Sequence, residues 1–327
     1  MSYYLYVETA FHHEGDKEYL LKLVSEAKKS GAKGIKFQVL IDLNEFMSSY
    51  HSAYDDAKKW ILSIEDWMEI FQYTKDLGLD IILMPLDVKA FDLISKFEIK
   101  YLEIHSVSFK DTKLLNRLEE IEVPLIFGIG GRTIEEIDAI VKKYNDREII
   151  LMVGFQSFPS DLRDIKLERI SELKKLYPNC IIGYADHSSY ESEMCIISNE
   201  YAYILGARVF EKHIAYEEGI ERIDFQSAVS SEKIVTIRKK LDYLESILNI
   251  DSKEIFNMNE KEVTYRNRQK VPVSKKRLKS GEIISSDMLQ LKMINQEDVI
   301  DSVDEIIGKK TLKDIENDSP FTKGDFQ

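Results

Sequence analysis

Six histidines in a chain of 327 residues give the first indication of chemistry. His12 and His13 follow the run YYLYVETAF, His51 lies in a long polar stretch, and His105, His187 and His213 close the runs YLEIH, GYADH and VFEKH. Neutral imidazoles bind divalent ions of the Mn, Fe, Ni and Zn class, and two of them leave coordination positions open for water and a substrate oxygen. Hydrogen-bonded structural histidines are the competing reading.

Other residues extend the pattern. Glu8 could hold a metal-bound water or act as acid or base, or it could form a salt bridge to Lys36 or Lys212. Lys36 and Gln38 flank Phe37, so they share one side of a strand. An inward lysine requires an anionic partner, either a substrate phosphate or a structural carboxylate such as Glu8. Asp224, in GIERIDFQS, is an isolated loop aspartate that could equally be solvated. The segment GIGGRT sets Gly128, Gly130, Gly131 and Arg132 before a helix start, where N–H groups and the helix dipole favour an anion; an ordinary turn has the same composition.

These residues need a scaffold that brings them together. Short β-branched and aromatic runs alternate with stretches of helical period, as βα units do. The spacing predicts strands over 3–9, 34–40, 80–85, 101–106, 124–130, 149–156, 180–187 and 208–215. Between them, KEYLLKLVSEAKKSG carries Leu20, Leu21, Leu23, Val24 and Ala27 on one face, and Thr133 is placed as the N-cap of TIEEIDAIVKKY. Eight such units in roughly 250 residues predict an α/β fold, a (β/α)₈ barrel, in which reactive groups gather at the strand C-termini. All six histidines fall there, and the ends of strands seven and eight make His187 and His213 neighbours. No GxGxxG follows the first strand, which argues against an open dinucleotide-binding sheet.

The barrel is assigned to residues 1–250, a linker to 251–263 and a small β-rich domain to 264–327. That last segment begins with a basic stretch containing Arg266, Arg268, Lys270, Lys275, Lys276 and Arg277. These residues could supply positive potential or simply form a solvated face. A net charge of -13 argues against nucleic acid and anionic membranes as partners. No run approaches the roughly 18 apolar residues of a membrane span, and the opening residues lack a signal-peptide pattern, so cytoplasm is expected. Cys180 and Cys195 have no metal-ligand spacing.

Four motifs resemble the N-acetylneuraminate (sialic acid) synthase family: ETAFHHEG its E-x-x-x-x-H-x-G, GAKGIKFQ its G-A-x-x-x-K-F-Q, GYADHS its G-Y-S-D-H, and GARVFEKH its G-A-x-x-x-E-K-H. The resemblance implies a (β/α)₈ barrel followed by an antifreeze-like SAF domain. It implies condensation of phosphoenolpyruvate with the aldehyde of an N-acetylmannosamine-like amino sugar, giving a sialic-acid-type nonulosonic acid and phosphate. His187 and His213 would ligate a divalent metal, Mn or Mg, and Glu8 would handle a water or proton. Lys36, Gln38, Ser106, Gln156, Phe158 and Asp224 would line the substrate site. A homodimer with the C-terminal domain over the partner's barrel mouth is implied as well.

The chain departs from the family where phosphoenolpyruvate should sit. Glu103 replaces the lysine of K-I-A-S, Met84 a threonine, Gly128 a serine, Gln156 an asparagine and Ala185 the serine of S-D-H. Ser108 replaces a glutamate, Phe158 a tyrosine, ERIDF has lost the histidine of P-G-x-D-H, and Met293 stands where arginine is common. Arg132 could provide a shifted phosphate seat. A metal-dependent lyase or aldolase on another carbonyl substrate, and a non-catalytic sugar-binding paralogue, are the alternatives to the synthase.

Overall fold

The computed structural model of the chain describes residues 2–154, 157–248, 253–296 and 298–327. They form two compact units, Met1–Asn249 and Ile250–Gln327. Among the described residues no helix is long and apolar enough to cross a membrane.

The first unit is a closed barrel of eight strands in sequential order. These are β1 (Tyr4–Glu8), β2 (Gly34–Val39), β3 (Asp80–Pro85), β4 (Tyr101–Ile104), β5 (Leu125–Gly128), β6 (Ile149–Val153), β7 (Ile181–Asp186) and β8 (Val209–His213). All pairings are parallel, and β8 closes on β1 in a register running from Tyr4↔Val209 to Glu8↔His213. Every strand expected from the sequence is present. β4 stops at Ile104, two residues early, because His105 Nδ1 accepts the Val107 N–H at 3.2 Å and turns the chain into a short 3₁₀ segment.

Helices cover the outside: α1 (Lys17–Ser30), α2 (Leu43–Phe46), α3 (Tyr54–Trp60), α4 (Ile64–Asp76), α5 (Thr112–Leu118), α6 (Ile134–Lys143), α7 (Arg169–Leu176), α8 (Met194–Leu205) and α9 (Ser231–Leu248). α1 buries Leu20, Leu23, Val24 and Ala27 as its periodicity predicts, while Leu21 stays half-buried. Thr133 caps α6 in a reciprocal pair with Glu136.

Strand alternation divides the side chains into two sets. Leu5, Val7, Ile35 and Phe37 face outward into the main core with Trp67 and Phe71 of α4. Tyr6, Ile82, Ile126, Ile150 and Val209 fill the barrel interior. Further toward the C-terminal mouth, β1, β2, β4 and β8 turn Glu8, Lys36, Gln38, Glu103, Glu211 and His213 to the interior, while β3, β5, β6 and β7 present Met84, Gly128, Met152 and Ala185.

The second unit pairs β9 (Lys270–Ser274) with β10 (Leu289–Met293) in an antiparallel ribbon. Leu278, Ile284, Ile300, Ile306, Ile315 and Phe321 form its core. α10 (Glu260–Arg266) precedes it, capped by Asn259 and Glu262. Its basic residues are partly paired: Arg266 with Asp301 at 3.4 Å, Lys276 with Glu282 at 3.6 Å, and Arg277 with Asp314 at 3.1 Å. Exposed pairs of this kind add little to stability.

Gly15 fixes the loop after β1. It sits at φ +83°, and a Cβ there would lie 1.9 Å from the Lys59 carbonyl oxygen of α3. Gly15→Ala is therefore expected to destabilise the protein by about 2–4 kcal/mol, from the disfavoured backbone conformation and the forced separation of the loop from α3. A urea midpoint equal to that of the wild type would contradict this.

Candidate active site

The polar layer at the barrel mouth is organised around one lysine. Lys36 on β2 is 1% exposed, and its Nζ lies 2.6 Å from Glu211 Oε2, 2.9 Å from Glu103 Oε1 and 3.3 Å from Glu8 Oε2. The ammonium donates hydrogen bonds to Glu211 and Glu103, and Glu8 is an ion-pair neighbour at 3.3 Å. Tyr6 donates its hydroxyl proton to Glu211 at 2.6 Å, with Glu103 more distant at 3.3 Å. Glu103, which replaces a lysine of the motif it resembles, is turned onto Lys36. Lys212 belongs elsewhere, bonded to Asp186 Oδ2 at 2.9 Å on the outward side of its strand.

The three carboxyls are held in different states. Burial would raise Glu8, but Lys36 and His213 beside it outweigh burial and keep its carboxyl well below the ordinary range. Burial pushes Glu211 well above that range, and the Glu8 charge adds to the rise. Glu103 is raised by burial, against the pull of Lys36. Lys36 stays protonated because its carboxylate neighbours overcome the cost of burial.

Beside this cluster stand the two histidines. His213 Nε2 is 2.9 Å from Glu8 Oε2, and Gln38 Nε2 donates to Glu8 Oε1 at 2.8 Å. The His187 and His213 ring centroids are 5.0 Å apart, and Phe158 covers both, at 4.6 Å and 5.6 Å. The His187 carbonyl is fixed by Ser227 Oγ and the Ser160 N–H, both at 2.9 Å.

Glu8, His187, Glu211 and His213 each offer a ligand atom, and these atoms lie within 4.8 Å of one another. Two imidazoles and two carboxylates, all buried, are a donor set suited to a divalent ion of the Mn, Fe or Zn class. His213 Nδ1 is buried without a hydrogen-bond partner, leaving Glu8 as the polar partner of that ring among the described residues. The residues thus fit a metal. Glu211 was missed in the sequence reading, although it stands two residues before His213 on one strand and so must face the same way.

The remaining expected site residues divide. Gln38, Ser106 and Phe158 line the small central cavity of about 30 Å³ together with the cluster. Asp224 adopts a left-handed backbone at φ 61° and is half-buried; burial raises its carboxyl, while His213 draws it down. Gln156 lies outside the described residues. Arg132 lines a separate groove between α6 and α7 and sits 3.8 Å from Glu136, away from the central cavity. The α6 N-terminus that was to seat an anion is occupied by its own Thr133–Glu136 cap.

Comparison with known proteins places these features in a family. Residues 23–253 match the NeuB family model and residues 270–327 the SAF domain, so the chain belongs to the NeuB family. An uncharacterised protein of Methanocaldococcus jannaschii is 29% identical, with 96% of this chain and 92% of that one covered. The pseudaminic acid synthase of Campylobacter jejuni is 25% identical, with 99% and 96% covered. Among solved structures, a putative spore coat polysaccharide biosynthesis protein E from Chromobacterium violaceum superimposes with a TM-score of 0.84 at 21% identity, covering 99% of both chains, which establishes the likeness of fold.

Three histidines near the mouth are kept neutral. Burial lowers His12, His13 and His105 to about 4. The unfolded chain binds protons on these residues near 6.5, so between about pH 6.5 and 4 it holds more protons than the native state. Their contribution to stability is complete above about pH 6.5 and is lost as pH falls toward 4. Urea midpoints measured across that range should decline with acidification, and His13→Gln should flatten the slope. A flat wild-type profile would count against the neutral assignment.

Proposed function

We propose, with membership of the NeuB family as the premise, that the protein is a metal-dependent carbon–carbon bond-forming synthase. It adds a three-carbon enol donor, of which phosphoenolpyruvate is the family's type, to the open-chain aldehyde of an N-acetylmannosamine-like amino sugar, giving a sialic-acid-type nonulosonic acid. The convergence of Glu8, His187, Glu211 and His213 at the C-terminal mouth carries this reading. The similarity to a pseudaminic acid synthase supports it.

His187, His213 and the two glutamates would hold the ion. A divalent ion bound there supplies Lewis-acid polarisation of the acceptor carbonyl. The side chains provide the rest. Gln38 fixes one oxygen of Glu8 at 2.8 Å and His213 Nε2 lies 2.9 Å from the other, and this carboxylate, held ionised by Lys36 and His213, is assigned to orient a water or proton beside the ion. Phe158 lies over both imidazoles and shields them from water. Ser106, Gln38, Asp224 and Gln156 are assigned to substrate oxygens.

We further assign residues 1–250 to the barrel, 251–263 to a linker and 264–327 to the SAF domain. The working form is taken to be a cytoplasmic homodimer whose SAF domain covers the partner's mouth. Such an interface would bury on the order of 1,600 Å² or more. Light scattering should then give twice the chain mass, and a monomer would remove this part of the reading.

Purified protein is expected to hold about one divalent ion per chain, because the donor set is complete within one chain. His187→Ala and His213→Ala should each lower metal content at least tenfold while circular dichroism stays native. Unchanged metal content in both variants would refute the assignment.

A further inference from the structure

We infer that Lys212 is a positioning residue for the candidate metal group: it holds the backbone on both sides of His187 and so fixes that imidazole against His213. The role rests on the proposed reading of Glu8, His187, Glu211 and His213 as the groups that hold the ion.

The two imidazoles reach the mouth by different routes. His213 is the last residue of β8 and stands in ladder register with Glu8, so strand pairing sets its place. His187 lies one residue beyond the end of β7, past the ladder pair Asp186↔Lys212. Its backbone is irregular there, and groups other than the ladder must fix it.

Lys212 supplies the main support. Its side chain leaves β8 on the face opposite His213 and is wholly buried. Nζ donates to the Asp186 carbonyl at 3.1 Å, to Asp186 Oδ2 at 2.9 Å and to the Ser188 carbonyl at 3.1 Å. All three N–H donors of the ammonium are thereby used, and all go to the residues immediately before and after His187. Asp186 Oδ1 completes the knot, accepting from the Ser188 N–H at 2.9 Å and from Ser188 Oγ at 2.6 Å. The His187 carbonyl between them is taken by Ser227 Oγ and the Ser160 N–H. Ser160 and Ser227 lie outside the strands, whereas Lys212 is the covalent neighbour of His213. Strand β8 therefore carries one imidazole directly and places the other through the residue before it.

Stability alone is a poor reason for such an arrangement. Taking an ammonium and a carboxylate out of water is expensive, and a well-packed apolar pair of similar size often gives a fold at least as stable. What the ion pair adds is direction, because its hydrogen bonds run to particular carbonyls and fix the backbone over 186–188. Direction matters at this place. The ligand atoms of Glu8, His187, Glu211 and His213 lie within 4.8 Å of one another, and a binding group of this kind needs its members held to about 0.5 Å.

The test compares the full-length wild type with Asp186→Asn/Lys212→Met, which removes both charges together and so leaves no unpaired ion in the interior. Circular dichroism and a thermal melt check that the double variant folds. Titration with Mn²⁺ should show affinity lowered at least tenfold, since loss of groups that orient metal ligands typically costs about 10–100-fold. Proton NMR of the Co²⁺-loaded protein reads what a merely structural role would not move: shifted resonances of both imidazoles in the wild type, and of His213 without His187 in the double variant. In the metal-free protein, the His187 and His213 ring centroids lie 5.0 Å apart, so a nuclear Overhauser contact between the rings should be present in the wild type and lost in the double variant. Lys212→Arg decides the matter if the double variant does not fold. It keeps the charge beside Asp186 but presents a planar fork in place of three diverging N–H groups, and its Mn²⁺ affinity should also fall severalfold. Wild-type affinity in the variant that folds, with both imidazoles shifted and the ring contact intact, would overturn the positioning role and leave the metal reading standing. A wild type that binds neither Mn²⁺ nor Co²⁺ would overturn the metal reading; the ring contact in the metal-free proteins would then decide the positioning role, its loss in the variant supporting it and its persistence overturning it.

Discussion

The buried ammonium of Lys36 is the constraint on which the rest of the mouth depends. Placing a lysine inside a barrel is costly unless anions meet it, and removing one partner of such a buried group commonly costs about 3–5 kcal/mol. Here β1, β4 and β8 each supply one carboxylate, as Glu8, Glu103 and Glu211. Those strands are not neighbours all round: β1 pairs with β8 and with β2, while β4 approaches from across the barrel. The lysine thus ties the two sides of the interior together at one height.

That tie sets the chemistry of its neighbours. Glu8 and Glu211 serve both Lys36 and the candidate metal group, so the cation that fixes their positions also fixes the ligand set. Tyr6, one interior layer below, adds the hydrogen bond that Glu211 Oε2 receives besides Lys36. The supporting groups of the site are therefore themselves interior barrel residues, and their positions follow from strand register rather than from loop conformation.

Much of this was legible in the sequence because the barrel imposes period-two alternation. Knowing that His213 faces inward places Glu211 inward too, and Lys36 with Gln38 follows the same rule. The closure of β8 on β1 puts Glu8 opposite His213 in register, which strand order alone implied. Which of several carboxylates a lysine would choose was not legible, because that depends on distances across the interior that no local spacing encodes. Arg132 illustrates the other limit. Its segment had the composition of an anion seat, yet Glu136, four residues on, closes the helix start and lies 3.8 Å from the arginine, which lines a separate groove. A capping box visible in the sequence competed with the functional reading and prevailed.

Glu103 shows why a family resemblance constrains the two halves of a site unequally. The four residues that offer metal ligands sit on β1, β7 and β8 or at their ends, and the motifs that carry the resemblance there keep Glu8, His187, Glu211 and His213. The opposite wall, from β3 to β6, carries Met84, Glu103, Gly128 and Met152, and the first three stand where the resemblance implies a threonine, a lysine and a serine. Exchanging a lysine for a glutamate changes the local charge by two, and the inward position of residue 103 leaves it no escape to solvent, since it is 3% exposed. The charge must be answered inside, and Lys36 answers it. One substitution on β4 thus gives the lysine on β2, which the motif preserves, a further carboxylate neighbour inside the barrel.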